Sequence, residues 1–308
     1  MILGLHASIR AGYGAALETA RLHDVGALQI FGYRRHHEPT AEELATFRER
    51  AAGLGLRVVA HARYVPFLGS ADEERHLHSA RLLQRELRLA KALGAEGLIL
   101  HAGAYAPEDD RARGLARVAE GILRAVEEVE PVPLILENVP GGGRRLGGPL
   151  EELAELARLL SRRAVALAFC LDTAHAWAQG YDLASVEAMW RFVGFAHRTL
   201  GAERIRIFHL NDSRALLGSH REHHWHWGRG YLGREGLQAL LGRPEFAGAL
   251  GILETPYGAD AENLAVVRAA AGGPDPGPGG PDPGPGGPDP GPGGPDPGLG
   301  LEKSRGSA

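Results

Sequence analysis

The sequence predicts an α/β protein of the (β/α)8 TIM-barrel class. Short apolar runs alternate, eight times over, with longer segments in which apolar residues recur at helical spacing. About 271 residues precede a compositionally different C-terminal segment, and that length is usual for one barrel domain. In addition, six of the apolar runs have, as their last or next-to-last residue, a side chain that can bind a metal ion.

The apolar runs are predicted to be the strands, because a parallel strand that is covered on both faces reads as a continuous apolar sequence. They occupy residues 2–6, 27–31, 57–61, 97–101, 133–137, 167–172, 205–210 and 250–254. Helical spacing predicts helices that start near 12, 40 and 149 and helices over 71–93, 109–129, 183–200 and 234–241. A polar, His-rich stretch between the last two strands is predicted to be a loop.

The C-terminal segment has a different composition. From Gly272 the chain repeats GGPDPGP, and it ends in LEKSRGSA. Pro and Gly at this density provide neither apolar surface nor a regular backbone. We therefore predict two regions, a barrel domain over residues 1–271 and a disordered tail over 272–308.

Composition excludes several classes of protein. The formal net charge is −4, and it is close to −1 for the residues before the tail. A protein that binds nucleic acid strongly and without specificity usually has a basic net charge, so the composition does not indicate such binding. Bound divalent cations would add positive charge that this count omits. The single cysteine, Cys170, lies in an apolar run and is expected to be a buried thiol. The chain opens without a signal-peptide pattern, and no apolar stretch reaches the roughly 18 residues of a membrane span. We expect a cytoplasmic monomer with no membrane partner.

The polar residues at the strand ends suggest a metal centre. The carboxyl ends of all strands in a parallel barrel converge on one face, where barrel enzymes place their chemistry. Taken singly, each residue has a structural alternative, and Asp172 in particular could cap the helix that follows it. Several carboxylates in one pocket repel unless cations neutralise them, and histidine with carboxylate suits zinc, with manganese or iron as alternatives. The six residues are His61, His101, Glu137, Asp172, His209 and Glu254.

Two local motifs offer further ligands. LDTAH places His175 three residues after Asp172, a spacing at which both side chains can turn inward just past a strand. The loop LGSHREHHWHWGRG (217–230) adds four candidates, of which not all can bind a metal directly. These are Glu222, His223, His224 and His226.

Three motifs carry a family resemblance. CLDTAHAWAQGYDL (170–183), FHLNDSRALLGS (208–219) and ILETP (252–256) resemble the endonuclease IV family of apurinic/apyrimidinic endonucleases, and weaker matches extend from Gly4 to Asn263. The resemblance implies a (β/α)8 barrel that holds about three zinc ions. It also implies hydrolysis of DNA on the 5′ side of an abasic site, leaving a 3′-hydroxyl and a 5′-deoxyribose phosphate.

The resemblance also implies a role for individual positions. One zinc would be held by His61 and His101, with Glu137 bridging to a second zinc bound by Asp172, His209 and Glu254. The third would be bound by His175, His224 and Glu222, which stands where the family has Asp. Glu137 and Glu254 would also orient the attacking water, and Arg34, Arg35 and Tyr64 would contact DNA.

Two other functions fit part of the pattern. A sugar isomerase or epimerase of the xylose-isomerase-like barrels would use Glu137, Asp172, His209 and Glu254 around one metal. Such an enzyme does not need the additional histidines at positions 61, 101, 175 and 224, and their presence favours the nuclease. A non-catalytic binding protein is disfavoured because nearly every ligand position is filled.

Overall fold

Eight parallel strands form a closed barrel in the computed structural model, which describes residues 1–63, 65, 67–127, 129, 132–163 and 165–274. Tyr64 and residues 275–308, nearly all of the predicted tail, lie outside the described residues. In chain order the strands are β1 (Ile2–His6), β2 (Ala27–Phe31), β3 (Arg57–His61), β4 (Leu98–His101), β5 (Leu134–Glu137), β6 (Leu167–Asp172), β7 (Ile205–His209), β8 (Asp212–Ser213), β9 (His224–Trp225) and β10 (Leu250–Leu253).

The strand order confirms the predicted fold. The barrel runs β1-β10-β7-β6-β5-β4-β3-β2 and closes because β1 pairs in parallel with both β10 and β2. Each barrel strand agrees with its predicted bounds to within one residue. The strands β8 and β9 instead pair antiparallel as a short ribbon within the stretch that was predicted to be a loop.

The inward-facing residues of the strands explain why the metal-binding side chains share one place. Side chains alternate between the two faces of a strand, so a residue two positions after an interior residue also points inward. Small and branched apolar residues fill the barrel interior, and a polar residue follows each of six of them at that spacing. The pairs are Val59 and His61, Ile99 and His101, Ile135 and Glu137, Cys170 and Asp172, Ile207 and His209, and Ile252 and Glu254.

The helices form the outer layer and bury their apolar faces against the strands. Leu83, Ile122 and Leu153 are among the side chains of this layer that are fully buried. Among the described residues, no helix has both the length and the apolar character needed to cross a membrane. The helices are α1 (Tyr13–Leu22), α2 (Ala41–Gly53), α3 (Glu73–Ala92), α4 (Arg111–Val126), α5 (Leu150–Leu160), α6 (Thr173–Gln179), α7 (Val186–Leu200), α8 (Gly233–Leu241) and α9 (Asp260–Ala270), with short 3-10 turns at Ala202–Arg204 and Pro244–Phe246.

A buried carboxylate organises the long segment between β7 and α8. The side chain of Asp212 accepts hydrogen bonds from the backbone N–H groups of Ser213, Gly228, Gly230 and Leu232, at 2.8 to 3.1 Å. These bonds fold the segment back over the barrel mouth. The ribbon therefore presents His224 to the interior, which a solvated loop would not do.

Candidate metal centre

The barrel register brings the predicted ligands together at the carboxyl ends of the strands. His101 lies opposite Glu137 across β4 and β5, and Asp172 lies opposite His209 across β6 and β7. Four overlapping groups result among the described residues, within each of which one ligand atom per residue lies within 4.8 Å of the others. Three contain only histidines and carboxylates: His61, His101 and Glu137; Glu137, Asp172, His209 and Glu254; and Asp172, His175 and His224. The fourth, Glu137, Cys170 and His209, adds the buried thiol of Cys170 to two residues of the second.

The first group is built around one carboxylate oxygen. Oε2 of Glu137 lies 3.1 Å from Nε2 of His61 and 3.0 Å from Nε2 of His101. The Nδ1–H of His61 donates to the carbonyl of Ala62 at 2.9 Å, which leaves Nε2 with a lone pair facing the carboxylate. Nε2 of His101 is buried and has no hydrogen-bond partner among the described residues. A lone pair against a carboxylate repels, so a cation fits between them.

The second group surrounds His209. Its Nδ1 lies 2.9 Å from Oε1 of Glu137, 3.2 Å from Oε2 of Glu254 and 3.8 Å from Oδ2 of Asp172. The opposite nitrogen donates its proton to Oε1 of Gln29 at 2.8 Å, so Nδ1 presents a lone pair to three carboxylates. Within the described ranges, Oε2 of Glu254 is buried without a hydrogen-bond partner. This donor set also fits a cation.

The third group pairs two histidines. Nε2 of His175 and Nε2 of His224 lie 3.3 Å apart. The Nδ1–H of His175 donates to the carbonyl of Asn138 at 2.9 Å, and that of His224 to the carbonyl of Glu254 at 3.2 Å. Two lone pairs then face each other, and a cation between them resolves the conflict. Glu222 flanks the group from its open side, with Oε1 3.7 Å from Nε2 of His175.

The electrostatics of the site call for positive charge. Burial lowers the pKa values of His175 and His209, but other neighbours outweigh burial, so the net pKa of each lies well above its usual value. For His175 these neighbours are the carboxylates of Asp172, Glu137 and Glu222, and for His209 they are the sulfur of Cys170 and the carboxylates of Glu137 and Glu254. Burial raises the pKa of Glu137, yet its histidine neighbours hold it well below the ordinary range. Burial likewise opposes the fall in the pKa of Glu222 to about 2, which His175 causes. Buried carboxylates at this density require protons or metal ions for neutrality.

Asp172 combines the two roles that its sequence context suggests. Its Oδ1 accepts the backbone N–H of His175 at 2.7 Å and so caps α6. Its Oδ2 faces the metal-binding groups, 3.5 Å from Nε2 of His224, and accepts a hydrogen bond from Nδ2 of Asn211 at 2.7 Å. The cap places His175 in the first turn of α6, which turns its ring toward the mouth.

Gln29 and His6 belong to the site but were not among the residues predicted from the sequence. Nε2 of Gln29 donates to Oε1 of Glu254 at 2.6 Å and to Nδ1 of His6 at 2.8 Å, while its Oε1 accepts from His209. The signal was present, because His6 finishes the first apolar run and Gln29 follows the interior residue Ala27 at a spacing of two. Both therefore belong to the inward-facing rows that provide the other site residues.

The other predicted site residues that the structure describes lie outside the three metal-binding groups. Nδ2 of Asn263 donates to Nδ1 of His226 at 3.0 Å, and the exposed ring of His223 packs edge-on against Trp225 at 5.5 Å, so neither histidine joins the three groups. Arg34 and Arg35 line a cavity beside the metal-binding groups. Tyr64 falls outside the described residues.

Comparison with known proteins agrees with this geometry. The xylose isomerase-like TIM barrel family matches residues 17–271. Endonuclease 4 of Thermus thermophilus is 39% identical over 279 residues, which cover 86% of this chain and 97% of the relative. The crystal structure of endonuclease IV from Thermus thermophilus is similar with a TM-score of 0.76 at 36% identity, covering 88% of this chain and 98% of that one. A D-tagatose 3-epimerase-like protein, with a TM-score of 0.69 at 19% identity over 88% of this chain and 97% of that one, shares the fold alone.

The similarity to endonuclease 4 thus extends over nearly the whole length of the relative and includes the barrel strands that carry the three groups. Several buried clusters of His, Glu and Asp at one barrel mouth make this a multi-metal site. On sequence, fold and site together, the chain belongs to the endonuclease IV family of the xylose isomerase-like TIM barrels.

Proposed function

We propose that this protein is a metal-dependent apurinic/apyrimidinic endonuclease that hydrolyses the phosphodiester on the 5′ side of abasic sites in DNA, as a step of base excision repair. One observation carries the proposal: three metal-binding groups adjoin at one barrel mouth, joined through Glu137 and Asp172. The relative in Thermus thermophilus is named endonuclease 4, and this chain covers almost all of it. DNA lacking a base is easily flipped from the helix, which supports selectivity for such a lesion.

We assign the ligands by the groups in which they lie. His61, His101 and Glu137 would hold the first ion, and Glu137, Asp172, His209 and Glu254 would hold the second. His175, His224 and Glu222 would hold the third, with Asp172 beside them. Histidine and carboxylate donors suit zinc, and manganese is the alternative.

Two glutamates and two arginines have proposed roles in the reaction beyond the binding of metal. Bound divalent ions would lower the pKa of the attacking water and offset the charge that develops on the phosphate and the leaving 3′ oxygen. Oε2 of Glu254 is buried without a hydrogen-bond partner among the described residues, so Glu254 is available to hold the second ion and to orient the attacking water beside it. Glu137 contacts His61, His101 and His209 at once, and thereby fixes the spacing between the first two groups. Arg34 and Arg35 stand beside the mouth and would contact the DNA backbone.

The alternative of a one-metal sugar isomerase uses only part of the site. The group of Glu137, Asp172, His209 and Glu254 would suffice for it. The opposed lone pairs of His175 and His224 would then remain buried without a cation, which is unfavourable. The likeness to the epimerase-like protein concerns the fold alone.

Metal analysis and a nicking assay test the proposal together. The purified protein should contain close to three divalent ions and should cut a duplex that carries a tetrahydrofuran abasic analogue, on its 5′ side. Glu137→Ala should lower kcat/KM by more than about 100-fold, since removal even of an outer partner of a metal ligand costs about 10–100-fold. Glu151→Ala, at an exposed position of α5, is the matched control and should cut normally. A single bound metal with no cutting under any divalent supplement would overturn the assignment.

A further inference from the structure

A cationic cavity lies next to the metal centre, between the loops that follow β1, β2, β3 and β10. It has a volume of about 360 Å³, within the range of small-molecule sites. No acidic side chain is among the described residues that line it. Its lining includes Arg10, Arg34, Arg35 and Arg63, with Tyr257 at the rim.

Two of these arginines direct charge into the cavity. Within the described ranges, the exposed side chain of Arg10 makes neither a hydrogen bond nor an ion pair. Arg63 lies over the ring of Phe31 at 5.2 Å, and its Nη1 donates to the carbonyl of Tyr33 at 3.3 Å. This stacking holds the guanidinium in place and leaves its remaining N–H groups for an anion.

The cavity is continuous with the metal-binding groups. His6 is part of its wall, and Nδ1 of His6 lies 3.5 Å from Oε1 of Glu254. Phe31, also in the wall, packs against the ring of His61 at a centroid distance of 6.0 Å. An anion in the cavity would therefore sit beside a phosphate held at the metals. One strand of DNA carries a phosphate about every 3.4 Å of helix axis, so a flanking phosphate falls within reach.

We propose that this cavity, which we call the arginine pocket, binds a second phosphate of the polynucleotide through Arg10 and Arg63, next to the phosphate that is cut. The inference rests on the proposed function and extends it to the recognition of the flanking backbone. Tyr257 has 66% of its surface exposed at the rim, and its ring offers a stacking surface for the nucleotide that carries this phosphate. Planar guanidinium groups bind phosphate oxygens in pairs, which fixes the register of the strand on the metals.

Binding of the nicked product duplex tests the arginine pocket, because this duplex retains the flanking phosphates and does not turn over. Arg10→Ala should raise Kd on the order of tenfold, the value expected for one lost hydrogen bond to a charged group. It should also reduce the slope of log Kd against log salt by about 0.9, as for one lost phosphate contact. Arg63→Gln should act similarly. Arg162→Ala, which removes an exposed charge after α5 at the opposite end of the barrel, should change neither quantity.

Substitution of single phosphates identifies the group that is bound. A neutral methylphosphonate at the contacted position should weaken binding to the original protein, cause a smaller loss in Arg10→Ala, where Arg63 still contacts the phosphate, and add no loss when Arg10→Ala and Arg63→Gln are combined. Unchanged Kd and salt slope in both arginine variants would overturn the proposal. The proposal would also be overturned if ribose 5-phosphate raised the melting temperature of the original protein but not of Arg10→Ala, while Arg10→Ala bound the duplex with unchanged Kd. Failure of the protein to cut abasic DNA would contradict the proposed function. That result is distinguishable from failure of the arginine pocket, because the binding assay uses the nicked duplex and does not depend on cutting.

Discussion

Replacing Gln29 with leucine tests how the metal centre is held from outside the ligand set. Gln29 is fully buried, and its amide joins His6, His209 and Glu254. Leucine has a similar volume but no polar atom, so the change removes these hydrogen bonds without opening a large cavity. His209 loses the acceptor that keeps its proton on Nε2, and Glu254 loses a donor at 2.6 Å. Nδ1 of His209 would then no longer be reserved for a metal.

The size of the effect follows from these bonds. A lost hydrogen bond to a charged, buried group costs about 1.5–3 kcal/mol. At about 1.4 kcal/mol for each factor of ten, metal affinity at the second group should fall about 10–100-fold, the range known for outer partners of metal ligands. The rate of abasic-site cutting at limiting metal should fall in parallel.

Competition with a chromogenic chelator measures the zinc affinity, and the nicking assay gives kcat/KM across a zinc titration. Gln238→Leu, on the exposed face of α8, makes the same chemical change far from the mouth and should leave both values unchanged. If Gln29→Leu binds zinc within about twofold of the unaltered protein and cuts at the same rate, the argument that Gln29 fixes the tautomer of His209 is refuted.

Three further changes have defined outcomes. Burial raises the pKa of Glu86 to about 7 from an ordinary 4.5, so between these two pH values the folded protein keeps a proton that the unfolded chain releases. The free energy of unfolding should therefore fall by roughly 3 kcal/mol as pH rises from about 4.5 to 7. Glu86→Gln should remove this fall, which urea titrations at pH 5 and 8 would measure. An equal pH dependence in both proteins would contradict this. Asp212→Ala should destabilise the protein by about 3 kcal/mol and speed proteolysis between β8 and α8, because four backbone N–H groups lose their acceptor; unchanged proteolysis would show that the ribbon holds without them. Deleting residues 272–308 should leave the melting temperature and the cutting rate intact, and a large drop in melting temperature would refute the interpretation as a tail.

The strand ends show why so much of the site was predictable. A polar residue that follows a buried apolar run in a parallel barrel lies at the carboxyl end of its strand, where the strands converge. Because side chains alternate between the two faces of a strand, a residue two positions after an interior residue also points into the barrel. Local sequence and barrel geometry therefore predict that His61, Glu137 and Glu254 meet at one end of the barrel, and the structure has them there. The same rule applied to β1 and β2 would have found His6 and Gln29.

The loops resisted prediction because their conformation depends on distant partners. The ribbon of β8 and β9 forms around the buried carboxylate of Asp212, and nothing in HREHHWHW says which histidine faces the interior. Only the fold decides that His224 joins the metal-binding groups while His226 bonds to Asn263. The short helix α6 was not predicted as a separate element, because its 7 residues are too few for the helical period of apolar residues to show. Asp172 caps this helix through Oδ1, and its Oδ2 faces the metal-binding groups.

The sequence by itself determined the barrel, its strands and the inward row of metal-binding side chains, because these follow from the period of apolar residues and the convergence of parallel strands. The tertiary structure alone decided which nitrogen of each histidine faces the carboxylates, since the carbonyls of Ala62 and Asn138 and the amide of Gln29 hold the other nitrogen. It also decided that Arg10 and Arg63, 53 positions apart in the chain, face one cavity beside the metals. Contacts between separate strands and loops set both features, and no local pattern encodes them.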